Sequence, residues 1–238
     1  MKICKDIGET FISNPEFCDR IIEFFESMPS AEKRITGTEK SIASNKPDEH
    51  YIKVMKGRRV LDTSIHPYKC IDDEELKMFV PLLQEIKENV KFYESKVNVD
   101  EINVDYLEGF NIQKYTPPHD VYAAVHSEWS EHNRVYSRRT YVYCLYLNTI
   151  NEGGETSFLK QKVKVKPEKG KLVIFPAYWT HLHKGIKTKE TKYILTGWLS
   201  CVLQGETIDE LLQADAFYDV MRKPKSFFDV GGQLPPIL

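Results

Sequence analysis

Beyond residue 100 the apolar pattern changes from a helical period to alternation. This switch constrains the fold more than any other feature of the chain. Short β-branched or aromatic segments near 103–116, 120–128, 138–148, 155–159, 162–166, 171–175, 181–185 and 191–203 are separated by turn signals. Asn151-Glu152-Gly153-Gly154 and Pro167-Glu168-Lys169-Gly170 are the clearest turns. Gly153 and Gly154 read as hairpin positions of positive φ, which needs no catalytic explanation. Eight short strands at this spacing predict a jelly roll or small barrel.

The first hundred residues read instead as mainly helical support. Asn14-Pro15 marks a helix start, followed by Phe17, Ile21, Phe24, Phe25 and Met28 at helical spacing. A second helical stretch runs from Asp72 to about Val97, with a stripe of Leu76, Phe79, Leu82, Leu83, Ile86, Val90 and Tyr93. Pro81 inside it predicts a kink or a split. The polar stretch from Arg34 to His66 is open between a loop, a lid and short strands flanking the core. A further helix is expected over Glu206–Met221, then an irregular tail. No repeat or linker divides the chain. One domain over 1–238 is expected, with support in 1–100, a β core in 103–203 and a helix and tail in 204–238.

Composition excludes several classes. At 41% hydrophobic and 12% aromatic the 238-residue chain is that of a folded globule. A net charge of -2, from 33 basic and 35 acidic residues, argues against a nucleic-acid partner gripped through a basic surface. The five cysteines are scattered, with no CxxC pair, which points to a reducing compartment rather than a disulfide framework or zinc knuckle. The amino terminus lacks a signal-peptide core, and no run approaches the roughly 18 apolar residues of a membrane span. A cytoplasmic protein with no membrane partner is the expectation. The oligomeric state is not legible.

His126-Ser127-Glu128 is the first chemically sharp element. In a strand, residues two apart face the same side, so both side chains can meet one metal ion. His183, on a later segment, is the candidate third ligand. Two imidazoles and a carboxylate on one face leave positions open, as in non-haem Fe(II) oxygenases. A lone H-x-E triplet is common by chance, and the order of the surrounding elements is what raises it. Lys192, nine positions after His183 on the next segment, offers a fixed cation for the distal carboxylate of a dicarboxylic acid. His119-Asp120 is set aside because neighbouring strand residues face opposite ways.

Several motifs occur in one order: Ile112-Gln113-Lys114-Tyr115, the His126 triplet, Leu145-Tyr146-Leu147-Asn148, Glu152-Gly153-Gly154-Glu155-Thr156, and Lys164 through Gly170. His183-Lys184-Gly185 and Lys192 through Trp198 complete the series. Over roughly residues 103–203 the chain resembles the prolyl 4-hydroxylase family of 2-oxoglutarate oxygenases. The resemblance implies a mainly β fold with flanking helices (α+β), built on a double-stranded β-helix of cupin-like type. It implies His126, Glu128 and His183 as catalytic iron ligands. Lys192, Tyr115 and Tyr146 would hold 2-oxoglutarate, and Arg139 and Trp198 would face substrate. Fe(II), 2-oxoglutarate and O2 are the implied cofactors, with ascorbate an open addition. The implied reaction hydroxylates a prolyl residue of a peptide or protein and releases succinate and CO2. The family usually has Asp where this chain has Glu128; the extra methylene lengthens the reach by about 1.5 Å.

Plainer readings stand beside these. His181 shares a face with His183, which is preferred for the Lys-Gly that follows it. Tyr115 and Tyr146 also fit core aromatics with a bonded hydroxyl, Arg139 half of an exposed pair with Arg138, and Trp198 packing alone. His132 reads as a loop residue, and the lysines of 160–169 as a solvated edge. The loop Ser130–Ser137 is a second lid candidate. Rival functions are hydroxylation of a free amino acid, nucleic-acid demethylation, and a non-enzymatic cupin-like binding module.

Overall fold

The structure, a computed structural model, describes residues 1–36, 58–71, 73–99, 102, 104–131 and 134–214. Strands β1 (Lys2–Cys4) and β2 (Ile7–Phe11) form a hairpin. Helix α1 (Phe17–Ser27) follows, then β3 (Arg34–Thr36), β4 (Arg58–Ile65) and α2 (Val80–Val97). The β-rich half contains β5 (Tyr106–Leu107), β6 (Phe110–Tyr115), β7 (Val121–Tyr122), β8 (Arg139–Tyr146) and β9 (Thr156–Phe158). It continues with β10 (Val163–Val165), β11 (Lys171–Pro176), β12 (His183–Gly185) and β13 (Lys192–Ser200), and ends on α3 (Ile208–Ala214).

The larger sheet runs β1-β2-β11-β8-β13-β6-β4-β3, with β5 on β13 and β7 on β4. The smaller is β10-β9-β12. From β8 onward the chain passes to β9 and β10 of the smaller sheet, back to β11, across to β12 and back to β13, in the manner of a double-stranded β-helix. Strand β8 shows why both layers form. All eight of its residues are buried. Tyr141, Tyr143 and Leu145 face a core shared with α1 and α2, while Val142, Cys144 and Tyr146 face the chamber between the sheets. A strand covered on both faces reads as a continuous apolar run, as Tyr-Val-Tyr-Cys-Leu-Tyr does.

The expected mainly helical first hundred residues need correction, because β1 to β4 are strands. Strand β2 pairs with β11 and β4 with β6, extending the larger sheet at both ends. Without them β11 and β6 would present unpaired edges. The short strands of the Arg34–His66 stretch are thus observed at its ends, whereas residues 37–57, where a lid was considered, lie outside the described residues. Pro81 splits the second helical stretch: a 3-10 turn covers Leu76–Phe79, and α2 starts at Val80 with Pro81 in its first turn. It ends at Asn98, whose left-handed φ of 57° closes the helix.

Two strand expectations also change. Segment 103–116 breaks into β5 and β6 at Glu108-Gly109, where the Glu108 amide donates to Trp198 O at 3.1 Å. Segment 120–128 is not one strand. Only Val121–Tyr122 is extended in a ladder, and His126 forms an isolated bridge with His183. The amides of Glu128 and Trp129 both donate to Ala177 O at 3.0 Å, turning the chain toward the end of β11 instead of prolonging the bridge. The helix expected over Glu206–Met221 is seen as α3; residues 215–238 lie outside the described residues, as do His132 and Asn133 of the second lid candidate. Gly153 and Gly154 have φ of 76° and 75°, as their turn requires.

Candidate metal centre and cosubstrate chamber

The bridge between residues 126 and 183 is the structural root of the site. Their amides and carbonyls exchange hydrogen bonds of 3.1 and 3.0 Å, which sets both imidazoles side by side with ring centroids 4.3 Å apart. Each ring is then oriented by its own backbone. His126 Nδ1 donates to Ala124 O at 2.8 Å, and His183 Nδ1 donates to His181 O at 3.0 Å. A carbonyl only accepts, so the proton of each neutral ring stays on Nδ1. Both Nε2 lone pairs then point to one place. Tyr122 lies against His126, and Phe158 and Phe175 pack against His183, at centroid distances of 4.4, 5.6 and 5.0 Å.

Glu128 supplies the third donor. Its Oε1 lies 3.2 Å from His126 Nε2 and 3.5 Å from His183 Nε2. One donor atom from each residue lies within 4.8 Å of the other two. His126 and Glu128 converge although the stretch between them is not a regular strand, so the parity argument fails while the pairing it predicted is present. Burial opposes the charge of Glu128, but His126 and His183 hold its carboxyl well below the usual range by donating from Nε2–H, the protons that a bound cation would displace to expose the lone pairs. The carboxylate is therefore ionised and available to a cation.

Lys192 opens β13 directly across from Tyr115 in the ladder with β6. It is 4% exposed, and its ammonium donates to Gly154 O at 2.9 Å and sits over the Tyr115 ring at 4.7 Å. Burial pulls its pKa down to about 8, against weaker opposite effects of Cys144 and Glu155. Among the described residues it makes no ion pair. Cys144 is within electrostatic reach of both Lys192 and Glu128, so the cation and the metal-type donors share the chamber. Tyr115 Oη donates to Gln113 Oε1 at 3.2 Å, and Tyr146 Oη to Thr156 Oγ1 at 2.7 Å. Burial drives both phenols well above their ordinary range, which keeps them as O–H donors.

Of the remaining sequence candidates, His181 and Asp120 fall elsewhere, whereas Arg139 and Trp198 adjoin Glu128. His181 is tied to the first hairpin, its Nε2 donating to Lys5 O at 3.2 Å, and takes no part in the donor cluster. The Asp120 carboxylate accepts from the Thr116 amide. Arg139 is buried rather than half of an exposed pair. Its guanidinium is held by Glu108 and stacked between Tyr136 and Trp198, at 4.1 and 3.9 Å from the ring centroids. Trp198 Nε1 donates to Glu128 Oε2 at 3.1 Å. Sequence reasoning missed Glu108, which is fully buried. The available signal was a lone carboxylate within Tyr106-Leu107-Glu108-Gly109-Phe110, since an acid in an apolar stretch is buried only with a partner.

A divalent cation fits this donor set, because two neutral imidazoles with locked tautomers and an ionised carboxylate are what a 2-His-1-carboxylate centre requires. A dicarboxylic acid fits the chamber beside it, where a desolvated ammonium lies over the Tyr115 ring with no acidic ion-pair partner among the described residues. When bound, Fe(II) supplies the activation of O2 that no side chain here can perform.

A sequence model described as the 2OG-Fe(II) oxygenase superfamily matches residues 110–200. A search of curated protein sequences finds no match. Among solved structures, the chain is similar to the viral collagen prolyl hydroxylase of Paramecium Bursaria Chlorella virus-1, solved as a 2OG complex. The identity is 19% and the TM-score 0.54, covering 85% of this chain and 100% of that one. It is similar to a Pseudomonas putida prolyl-4-hydroxylase at 18% identity and a TM-score of 0.53, covering 82% and 92%. A Trichoplax adhaerens prolyl hydroxylase, solved with a hypoxia inducible factor peptide, gives 12% identity and a TM-score of 0.55, covering 92% and 88%. At such identities the solved structures speak for the fold, which is the double-stranded β-helix. The matched span runs from β6 to β13 and holds His126, Glu128, His183 and Lys192, so over residues 110–200 the chain is similar to the 2OG-Fe(II) oxygenase superfamily.

Proposed function

We propose that this chain is a 2-oxoglutarate-dependent dioxygenase that hydroxylates a prolyl residue of a peptide or protein, with His126, Glu128 and His183 as the ligands of Fe(II). Lys192 pairs with the distal carboxylate of 2-oxoglutarate, assisted by the hydroxyls of Tyr115 and Tyr146. The observation that carries this reading is the convergence of two Nε2 atoms and one carboxylate oxygen in the chamber that also buries Lys192. Support for a peptidyl substrate comes from the fold shared with prolyl hydroxylases, one of them solved with a peptide. In the overall reaction one oxygen atom of O2 enters succinate, with loss of CO2, and the other enters the substrate C–H bond.

The residues of this chain have separable tasks in that reaction. His126 and His183 present lone pairs whose direction is set by backbone carbonyls, so the metal site is formed before the metal arrives. Lys192 fixes one end of the cosubstrate, and the aromatic walls of Phe158, Phe175 and Tyr122 exclude water around the reacting end. Anaerobic titration with Fe(II) and 2-oxoglutarate tests the reading. A metal-to-ligand charge-transfer band is expected in the wild type and absent in His183→Ala. Mass spectrometry should then show a gain of one oxygen on a proline peptide but not on free proline. An unchanged band in His183→Ala would sink the ligand assignment.

A further inference from the structure

We infer that Glu108 and Arg139 are positioning residues of the metal centre: together with Trp198 they aim the Glu128 carboxylate so that a single oxygen reaches the metal. This inference rests on the ligand assignment proposed above and concerns groups outside the first set of ligands. The two oxygens of Glu128 have different surroundings. Oε1 faces both imidazoles, whereas Oε2 accepts from Trp198 Nε1 at 3.1 Å and lies 3.8 Å from Arg139 Nη1. The backbone of Glu128 is held as well. Its amide donates to Ala177 O at 3.0 Å, and its carbonyl accepts from Arg139 Nη1 at 3.2 Å.

Arg139 is itself immobilised from behind. Glu108 Oε2 accepts from Arg139 Nε at 2.8 Å and lies 2.7 Å from Nη2, so one carboxylate oxygen holds that edge of the guanidinium. The other Glu108 oxygen accepts from Ser200 Oγ at 2.5 Å. Glu108 is fully buried, and Arg139 and Trp198 are 6% and 5% exposed, so the guanidinium has no solvated alternative position. The stack of Tyr136, Arg139 and Trp198 fixes the indole plane, which in turn fixes the N–H that holds Oε2. A glutamate has one more rotatable bond than an aspartate, hence more ways to miss the metal. A chain of buried donors that ties back one oxygen removes that freedom, and hydrogen-bonded supports of this kind are worth about tenfold or more in metal affinity.

The test uses Co(II), a stand-in that does not turn over with O2, with its visible d–d bands as the readout of affinity and geometry. In the wild-type background, Glu108→Gln and Trp198→Phe are each expected to weaken Co(II) binding about tenfold and to change the band pattern. In a Glu128→Ala background the same substitutions are expected to change affinity less than twofold, because the carboxylate they act on is gone. Equal losses in both backgrounds, or no loss in either, would overturn the inference. Trp198→Phe keeps the aromatic surface and removes only the N–H, so it decides alone if Glu108→Gln does not fold. Failure of the ligand assignment looks different: the wild type would bind no Co(II), or His183→Ala would bind it equally well.

Discussion

A buried ammonium over the Tyr115 ring loses its hydration, and for Lys192 that loss outweighs the opposite effects of Cys144 and Glu155. With its pKa near 8, Lys192 is charged in the folded protein below that pH and neutral above it. The unfolded lysine keeps its proton to about pH 10.4. Stability of the cosubstrate-free protein therefore rises with pH between these two values, since there the unfolded state binds the extra proton. Binding of a carboxylate has the opposite dependence. The 2-oxoglutarate Kd, measured by calorimetry with Mn(II), should be flat below about pH 7.5 and weaken toward tenfold per unit above 8. Lys192→Arg should flatten that rise, because a guanidinium stays charged. A wild-type Kd independent of pH up to 9.5 would refute the assignment. Lys192→Met should bind no 2-oxoglutarate yet melt higher by roughly 5 °C, since a desolvation cost on the order of 3 kcal/mol is removed. The residue was legible in the sequence from its distance to His183. Its depth was not, because burial belongs to the chamber that other segments build.

Among the elements, β13 carries the most. It sits at the centre of the larger sheet between β8 and β6, and delivers Lys192 at its start and Trp198 near its end. The six-residue separation of these two places both on the chamber face, by the period of a strand. Gly197, on the opposite face and across from Tyr143, lies directly beneath that ring, and a Cβ there would overlap Tyr143 Oη. Gly197→Ala should lower stability by about 2–3 kcal/mol, seen as a fall in the urea midpoint with unchanged slope. An unchanged midpoint would mean that Tyr143 moves aside freely, which its complete burial argues against. Most strands of the β core were readable from alternation and turn residues, as was the split of the second helical stretch at Pro81. The strands β1 to β4 were not readable, because they are short and gain their stability from edges offered by β11 and β6. Local sequence carries no record of an edge that forms far along the chain.

At the scale of the whole molecule the site links elements that no helix or tight turn connects. His126 and His183 belong to the bridge beside the smaller sheet, whereas Glu128 is tied to Ala177 and Trp198 of the larger one. A cation held by all three therefore clamps the mouth of the β-helix. At about 100 times its Kd, such a ligand adds roughly 2.7 kcal/mol. Co(II) or Mn(II) should accordingly raise the melting temperature of the wild type by about 5–10 °C. The shift should vanish in His183→Ala; a shift of equal size there would place the ion elsewhere. By itself the sequence determined the alternating β core, its turns, the flanking helical stripes and the identities of the metal-type donors, because these rest on residue type and spacing along a single segment. Only the tertiary structure decided that residue 126 sits in a bridge rather than a strand. It alone showed that Glu108 stands behind Arg139, and that Arg139 lies buried against Glu128 instead of forming an exposed pair with Arg138. Hydrogen bonds between segments are specified by which groups the closed fold leaves together in the dark, and that proximity has no signature until the sheets meet.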